Sequence, residues 1–341
     1  MIRVGIIGFG KMGMTHYAQL NQNPKIQMVA ICDNSNFILM VMSKHTDVKC
    51  YKDYKKMIEE CSLQAVVVAT PTSSHAEIVR YAVDKGLHVF VEKPFCLDTL
   101  QGREIVVLAE ERKVVTQVGY HCRFCGVFQK VKNLLEDNII GDVYQFIVEV
   151  YGNVVSKKAE GFTWRAKRTE GGGCLYDYAS HGLDIVHYLI GPPKEVHGTV
   201  FRTINSKELE DAVSSTLIYD NGITGQLSVN WCDPFYRKMF NQITIWGTKG
   251  KIIADRQESK IYLQQANERH NLTEGWNVLY TTEVTKPVDF YIRGEEYAAQ
   301  LDYFVDGIDR KRTDNVNSFA NALQTDVLID LLIKDAKRIK V

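Results

Sequence analysis

The first thirteen residues constrain the fold more than any other part of the chain. An apolar run over residues 2–7 leads directly into the glycine pattern Gly8-x-Gly10-x-x-Gly13, and a helix-like segment follows. In a strand–turn–helix unit, the first glycine permits the tight turn and the second leaves room for a phosphate, while the third allows close packing. The N–H groups at the start of the helix bind that phosphate. The pattern therefore predicts a bound dinucleotide.

Asp33 indicates which dinucleotide binds. It follows Gly13 by twenty residues and ends a second apolar run, Met28 to Cys32. A carboxylate at this place can accept hydrogen bonds from both hydroxyls of an adenosine ribose, and its charge would repel a 2′-phosphate. The next residues, Asn34 and Ser35, offer no cation to bind such a phosphate. We therefore predict NAD as the cofactor, in preference to NADP.

The first third of the chain alternates strand-like and helix-like segments. Such alternation predicts a parallel sheet with helices on both faces, so we assign residues 1–121 to an α/β Rossmann dinucleotide-binding domain. The predicted strands are 2–7, 28–32, a short one near Cys50, 65–69, 88–91 and 114–118. The predicted helices between them are 11–21, 36–45, 54–60, 73–85 and 97–111.

The pattern changes near residue 122. A predicted helix at 127–137 is followed by runs of period-two hydrophobicity, and Asn221-Gly222 is a strong hairpin signal. We assign residues 122–341 to an α+β domain with a large open antiparallel sheet, for substrate binding and oligomerisation. Its predicted strands are 143–152, 194–203, 213–219, 223–231, 242–247, 251–255 and 260–264, followed by helices at 295–308 and 316–337.

Composition excludes several classes of function. Lysine and arginine number 41, as do aspartate and glutamate, so no net charge attracts nucleic acid or an anionic membrane. No apolar run approaches the ~18 residues of a transmembrane helix, and we expect a cytoplasmic protein. Cys122-x-x-Cys125 beside His121 has metal-site spacing but lacks a second pair of ligands, so we predict reduced thiols and no metal. Apolar residues on the exposed sheet face favour a homodimer or homotetramer.

Three clusters of polar residues could carry chemistry. The first, Ala69-Thr70-Pro71 with His75, follows one predicted parallel strand, and Glu92-Lys93-Pro94 follows another. Ligands bind beyond the carboxyl ends of such strands. Lys93 is either a solvated charge or an ammonium aimed at a bound cofactor, and the bond to Pro94 can be cis. His75 is either a surface residue at a helix start or a functional one.

The third cluster follows three consecutive glycines, 171–173. Asp177 and His181 are four residues apart, so they share one face of a helix and can touch. A carboxylate beside an imidazole fixes its tautomer and raises its basicity, which a general base requires. The alternative is an ion pair on the surface of a helix. Trp164 and Arg165, just ahead of the glycines, are pocket candidates or simply a buried aromatic beside a surface arginine.

Taken in order, these motifs resemble the Gfo/Idh/MocA superfamily, which is named after glucose–fructose oxidoreductase, inositol dehydrogenase and a rhizopine-catabolism protein. The matching motifs span essentially the whole chain. His121-Cys122 departs from the pattern, at a position that would shape the nicotinamide pocket. The matches are Gly8-x-Gly10-x-x-Gly13-x-x-His16, Thr70-Pro71-x-x-x-His75, Glu92-Lys93-Pro94, Gly119-Tyr120 with Arg123-Phe124, and Gly173-x-Leu175-x-Asp177-x-x-x-His181-x-x-Asp184.

The resemblance implies hydride transfer between a sugar-like hydroxyl and the nicotinamide. Lys93 would donate to the reacting oxygen, His181 would take the hydroxyl proton, and Asp177 would orient His181. The implied cofactor-binding residues are Gly8, Phe9, Gly10, Lys11, Met12, Gly13, Asp33, Ala69, Thr70, Pro71, His75, Glu92, Lys93, Pro94 and Arg123. The implied substrate-binding residues are Lys93, Tyr120, Trp164, Arg165, Asp177 and His181.

The sequence therefore favours an NAD-dependent dehydrogenase acting on a sugar, an inositol or a nucleotide-linked sugar. One alternative is an NAD-dependent glycosidase of the same fold, which oxidises its substrate transiently and recycles the cofactor. Another is a regulatory protein that senses the dinucleotide without turnover. The presence of Lys93, Asp177 and His181 together argues against a sensor, which has no need of them.

Overall fold

The computed structural model describes residues 1–155 and 164–338, which form two compact units. The first unit comprises Met1–His121 and Pro287–Leu323, and the second comprises Cys122–Lys286 and the chain from Gln324 onward. The sequence-based division at 121/122 had placed residues 287–323 in the second domain. In the structure these residues belong to the first unit. They are held there by long-range contacts, which local sequence patterns do not predict. The Gln117 side chain, for example, donates to the Gln300 carbonyl oxygen at 2.6 Å.

The first unit contains a six-stranded parallel sheet of order β3-β2-β1-β4-β5-β6, which confirms the predicted Rossmann domain. Its central strand β4 is fully buried, as a parallel strand covered on both faces should be. The strands are β1 Ile2–Ile7, β2 Ile26–Cys32, β3 Lys49–Tyr51, β4 Ala65–Val68, β5 His88–Val91 and β6 Thr116–Val118. The helices are α1 Lys11–Leu20, α2 Asn36–His45, α3 Tyr54–Glu60, α4 His75–Asp84, α5 Thr99–Arg112 and, much later, α9 Glu295–Asp309.

The second unit contains an eight-stranded sheet of order β14-β13-β12-β11-β7-β10-β9-β8. The sheet is mostly antiparallel, which confirms the predicted fold class, and strands β7 and β10 pair in parallel within it. The last strand, β14, was not predicted. The strands are β7 Val143–Tyr151, β8 Glu195–Arg202, β9 Ala212–Ile218, β10 Thr224–Asn230, β11 Phe240–Gly247, β12 Gly250–Ala254, β13 Glu258–Leu263 and β14 Gly275–Tyr280.

Helix α7, Ser180–Leu189, packs closely on this sheet. A Cβ added to Gly182 would lie 2.8 Å from the Val150 side chain, so only glycine allows the helix to approach β7 this closely. The remaining helices are α6 Gly126–Glu136, α8 Thr281–Val284 and α10 Phe319–Arg338, which begins in the first unit. None of the helices in the described ranges combines the length and apolar character that crossing a bilayer requires.

Large side chains are exposed at the β14 end of the sheet. Tyr262 and Trp276 face each other across β13 and β14 with ring centroids 5.4 Å apart, and Trp276 is 56% exposed. Val278 and Tyr280 are also exposed on β14. Contiguous exposed apolar surface of this kind is typical of interaction sites.

Candidate active site

The glycine turn between β1 and α1 is shaped by the absence of side chains. Gly8 has φ +87°, and a Cβ there would lie 2.7 Å from the Ala69 backbone. A Cβ on Gly13 would lie 2.0 Å from the Gly8 carbonyl oxygen, so any other residue would push α1 off the turn. A Cβ on Gly10, by contrast, would meet nothing within 4 Å, which leaves open space above the backbone. These three environments fit the roles expected for a turn that binds a pyrophosphate.

Asp33 lies beside this turn with its carboxylate held by backbone donors. The Phe9 N–H donates to Asp33 Oδ2 at 2.6 Å, and the Ser35 N–H donates to Oδ1 at 2.7 Å. Ser35 also caps α2 by accepting from the Ile38 N–H, and Asn34 is exposed. The carboxylate is half-buried and fixed beyond the end of β2. The residues present therefore fit an adenosine ribose.

His75 holds two turns of the first unit together. Its Nδ1 lies 3.0 Å from the Pro94 carbonyl oxygen, and its Nε2 lies 3.0 Å from the Thr70 carbonyl oxygen. The ring is 1% exposed, and burial lowers the pKa of His75. Both ring nitrogens thus face backbone carbonyls, so His75 holds the turns at Thr70 and Pro94 in place. A contact of His75 with the cofactor stays a prediction.

Glu92 has a protein partner that the sequence did not reveal. His16 Nε2 lies 2.7 Å from Glu92 Oε1, and the His16 ring is fully buried. Burial opposes ionisation of Glu92, but the contacts with His16 and with Lys93 lower its pKa below the usual value. The expected contact of Glu92 with the cofactor stays a prediction beside this pair. The sequence contains a weak signal for this pair, because His16 lies three residues after Gly13 and so belongs to the glycine motif.

Lys93 follows Glu92 in a turn whose neighbours are fixed on both sides. The bond from Lys93 to Pro94 is cis, as the sequence allowed, and the Lys93 N–H donates to Glu92 Oε2 at 3.3 Å. Pro94 is buried and bonded to His75 through its carbonyl oxygen. Lys93 itself is half-buried. Hydrogen bonds therefore fix the backbone around Lys93. A lysine that is merely solvated at the surface does not need such support.

Asp177 and His181 are both buried at the start of α7, where they are 6% and 5% exposed. Asp177 belongs to a π turn, Leu175–Ala179, that continues into the helix. Its hydrogen bond from the Ser180 N–H to the Leu175 carbonyl spans five residues instead of four. Such single π turns inside helices are frequent at functional sites. The surface ion pair that the sequence left open is therefore excluded, because neither side chain is on the surface.

Arg165 and Trp164 contact this helix from the segment before the glycines. Arg165 Nε donates to Asp177 Oδ2 at 2.8 Å, and its guanidinium lies 4.6 Å from the centre of the Trp164 ring. Both residues are half-buried. The structure therefore brings together three of the predicted substrate-binding residues, while Tyr120 is fully buried at 0% exposure. A direct contact of Tyr120 with substrate stays a prediction.

Glu210 anchors the start of the π turn and was not identified from the sequence. It lies between β8 and β9, is buried, and accepts a hydrogen bond from the Leu175 N–H at 3.1 Å. Its other oxygen pairs with Arg168. Gly173 makes this possible, because a Cβ there would overlap the Glu210 carboxylate. A loop glutamate without periodicity or motif gives no sequence signal for such a contact.

Arg123 and Asp184 form a buried ion pair within the second unit. Arg123 Nη2 lies 2.6 Å from Asp184 Oδ1, and Nε lies 3.1 Å from Oδ2, with both side chains at most 2% exposed. Burial raises the pKa of Asp184, and the Arg123 guanidinium opposes that shift. The expected role of Arg123 in cofactor binding stays a prediction. Its charge is matched by a carboxylate on α7 three residues beyond His181.

The cysteines are thiols, as predicted from the sequence. All eight lie within the described residues and none forms a disulfide. Cys125 donates to the Arg256 carbonyl oxygen, and Cys122 lies 3.5 Å from the Asn241 amide nitrogen. Both are buried, so they pack as small apolar side chains.

Comparison with known families identifies the family to which this chain belongs. Residues 2–120 match the oxidoreductase family with an NAD-binding Rossmann fold, and residues 128–253 match the GFO/IDH/MocA C-terminal domain. The protein belongs to the GFO/IDH/MocA family of oxidoreductases. The predicted fold class, family and NAD cofactor are thereby confirmed.

Several relatives are named only as uncharacterized oxidoreductases, and others have inositol- or rhizopine-related names. The myo-inositol 2-dehydrogenase of Thermotoga maritima is 26% identical, with 79% of this chain and 80% of that protein covered. The rhizopine catabolism protein MocA of Rhizobium meliloti is 25% identical, with 73% and 76% covered. Levoglucosan dehydrogenase, solved with NADH and L-sorbose, superposes with a TM-score of 0.88 at 20% identity, covering 99% of this chain and 97% of that one. This last likeness shows the fold.

Removing one member of the Arg123–Asp184 pair should destabilise the protein without changing cofactor binding. Breaking a buried pair leaves an uncompensated charge, so we expect Arg123→Gln to lower the free energy of unfolding by about 3–5 kcal/mol. Arg269→Gln is the matched control, because its pair with Asp137 is 75% exposed on the arginine side. That change should cost less than about 1 kcal/mol. Urea denaturation measures both. An Arg123→Gln protein that keeps its stability but loses NADH affinity would instead support the expected role of Arg123 in cofactor binding.

Proposed function

We propose that this protein is an NAD-dependent dehydrogenase that transfers a hydride between a secondary hydroxyl and the nicotinamide. The hydroxyl belongs to a sugar, an inositol or a nucleotide-linked sugar. The main observation in support is the buried carboxylate and imidazole of Asp177 and His181, built into a π turn at the start of α7. Burying two ionisable groups is costly, so their presence indicates a function beyond stability.

His181 is the general base in this proposal. Its imidazole takes the proton of the substrate hydroxyl, and the negative charge of Asp177 favours the imidazolium that results. Arg165 binds one oxygen of Asp177 and so fixes the orientation of the carboxylate. The Trp164 ring, which stacks on the Arg165 guanidinium, offers an apolar face of the kind that packs against sugar C–H groups.

Lys93 polarises the reacting oxygen. An ammonium that donates to this oxygen stabilises the negative charge that develops as the proton leaves. The fixed turn around Lys93 supports the assignment, since a catalytic donor must be held in place before the reaction. Bound NAD would supply the acceptor for the hydride. The residues that would hold it are the glycine turn, Asp33 and the turn at Thr70.

Names of relatives support the substrate class. They include a myo-inositol 2-dehydrogenase, an NADP-dependent scyllo-inositol 2-dehydrogenase from Bacillus subtilis and a levoglucosan dehydrogenase. The NADP-dependent example shows that cofactor choice varies among relatives, so the preference for NAD rests on Asp33. Assembly into a homo-oligomer through the exposed β13–β14 surface stays a prediction.

A substrate screen tests the proposed reaction. We expect one class among free sugars, inositols and nucleotide sugars to give net reduced cofactor, measured by absorbance, in amounts equal to oxidised product. Because the Asp33 carboxylate would repel a 2′-phosphate, kcat/KM should be higher for NAD than for NADP. Release of a glycoside without net NADH would favour the glycosidase alternative. A preference for NADP would contradict the role given to Asp33.

Replacing the proposed base should slow the chemical step. We expect His181→Ala to lower kcat by about 10² to 10⁴, which is the usual contribution of a positioned general base. The Kd for NADH should change little, since the imidazole acts on the substrate. His197→Ala is the matched control, because His197 is exposed on β8 and pairs with Glu195. Full activity of His181→Ala across the pH range would show that His181 is not the base.

A further inference from the structure

A stack of side chains lies beside the glycine turn and is contributed by the late segment of the first unit. Arg293 Nη1 lies 3.4 Å from the sulfur of Met12, which belongs to the turn itself. The Arg293 guanidinium lies 5.1 Å from the centre of the Tyr297 ring. The Tyr297 ring in turn stacks on His121, with centroids 4.3 Å apart and planes inclined by 17°. The exposed Arg293 is therefore held beside the turn by the Tyr297 ring, which is itself supported by His121.

The backbone next to Arg293 is shaped for this position. Gly294 has φ +150°, a region that other residues rarely adopt, and it directly precedes helix α9. A Cβ at Gly294 would lie 2.5 Å from the carboxylate of Glu296, which is buried. The chain therefore bends at Gly294 in a way that only glycine permits. This bend sets the position of Arg293 relative to the start of helix α9.

The glycine turn has an electrostatic feature that favours an anion. Helix α1 begins after Gly10 with no side-chain cap and no acidic residue in its first turn, where Lys11 stands instead. A cation at a helix N-terminus is normally unfavourable, because the helix dipole is positive there. Arg293 adds a second positive charge at the same turn. An anion bound at the turn would make both charges favourable.

We propose that Arg293 binds the pyrophosphate of the dinucleotide, together with Lys11 and the N–H groups of the turn. A thioether is a weak hydrogen-bond acceptor, so the contact with Met12 is readily replaced by phosphate oxygens. The guanidinium presents five donors in a planar fork that matches phosphate geometry. Tyr297 and His121 act as positioning residues that hold this fork in place. The inference rests on dinucleotide binding and not on the identity of the substrate.

Calorimetric titration of three ligands tests this role. NADH and ADP-ribose contain the pyrophosphate, and adenosine does not. We expect Arg293→Gln to raise the Kd for NADH and for ADP-ribose about tenfold and to leave the Kd for adenosine unchanged. Arg293→Lys should fall between wild type and Arg293→Gln, because it keeps the charge but loses the fork. The difference between wild type and Arg293→Gln should shrink as salt is added.

Arg310→Gln is the matched control, since Arg310 is an exposed arginine at the other end of α9. It should bind all three ligands as wild type does. An unchanged Kd for NADH in Arg293→Gln would overturn the inference, and so would an equal loss of adenosine affinity, which indicates a purely structural role. Either result leaves the dehydrogenase proposal intact, because the substrate screen tests that proposal separately.

Discussion

The close contact between Gly13 and Gly8 is the constraint on which the dinucleotide site depends. With no Cβ on Gly13, helix α1 starts against the carbonyl oxygen of Gly8, and its free N–H groups lie just beyond β1. The same turn directs the Phe9 N–H at the carboxylate of Asp33, which ends β2. The sites proposed for the phosphates and for the ribose therefore both depend on one packing contact. A methyl group at Gly13 would disturb both.

In the second unit, the position of α7 is fixed by buried polar contacts and by one glycine. Gly182 sets the helix onto β7, Glu210 holds the start of its π turn, and Asp184 pairs with Arg123. Buried ion pairs contribute little net stability compared with apolar packing, but they specify geometry when every partner is present. We infer that these contacts serve mainly to hold Asp177 and His181 in one arrangement.

Much of the fold could be predicted from local sequence patterns. Helix α2 covers the predicted residues 36–45, and α3 covers the predicted residues 54–60 with Asp53 as its cap, which accepts from the Lys55 N–H. Long-range relations were not predictable. The parallel pairing of β7 with β10 has no local signature, and Val316, the first residue of the helix predicted at 316–337, lies just before α10 and is 41% exposed.

The same distinction applies to the candidate site. Motif spacing singled out the glycine turn, Lys93, Asp177 and His181, because each belongs to a short pattern. It did not reveal contacts with partners that are distant in the sequence. Arg123 and Glu92 are charged and follow recognised motifs, yet each is matched by a buried protein group, Asp184 and His16. A sequence pattern shows that a charge is present, but only the fold shows what neutralises it.

We propose that the Lys93 ammonium acts on the reacting oxygen and does not merely hold the cofactor. Measuring kcat and the Kd for NADH in Lys93→Met tests this role, because the change removes the charge and keeps an unbranched side chain. We expect kcat to fall by about 10² to 10³, the usual effect of losing one hydrogen-bond donor to the developing charge, with a Kd for NADH close to that of wild type. A normal kcat with a greatly weakened affinity for NADH would contradict it.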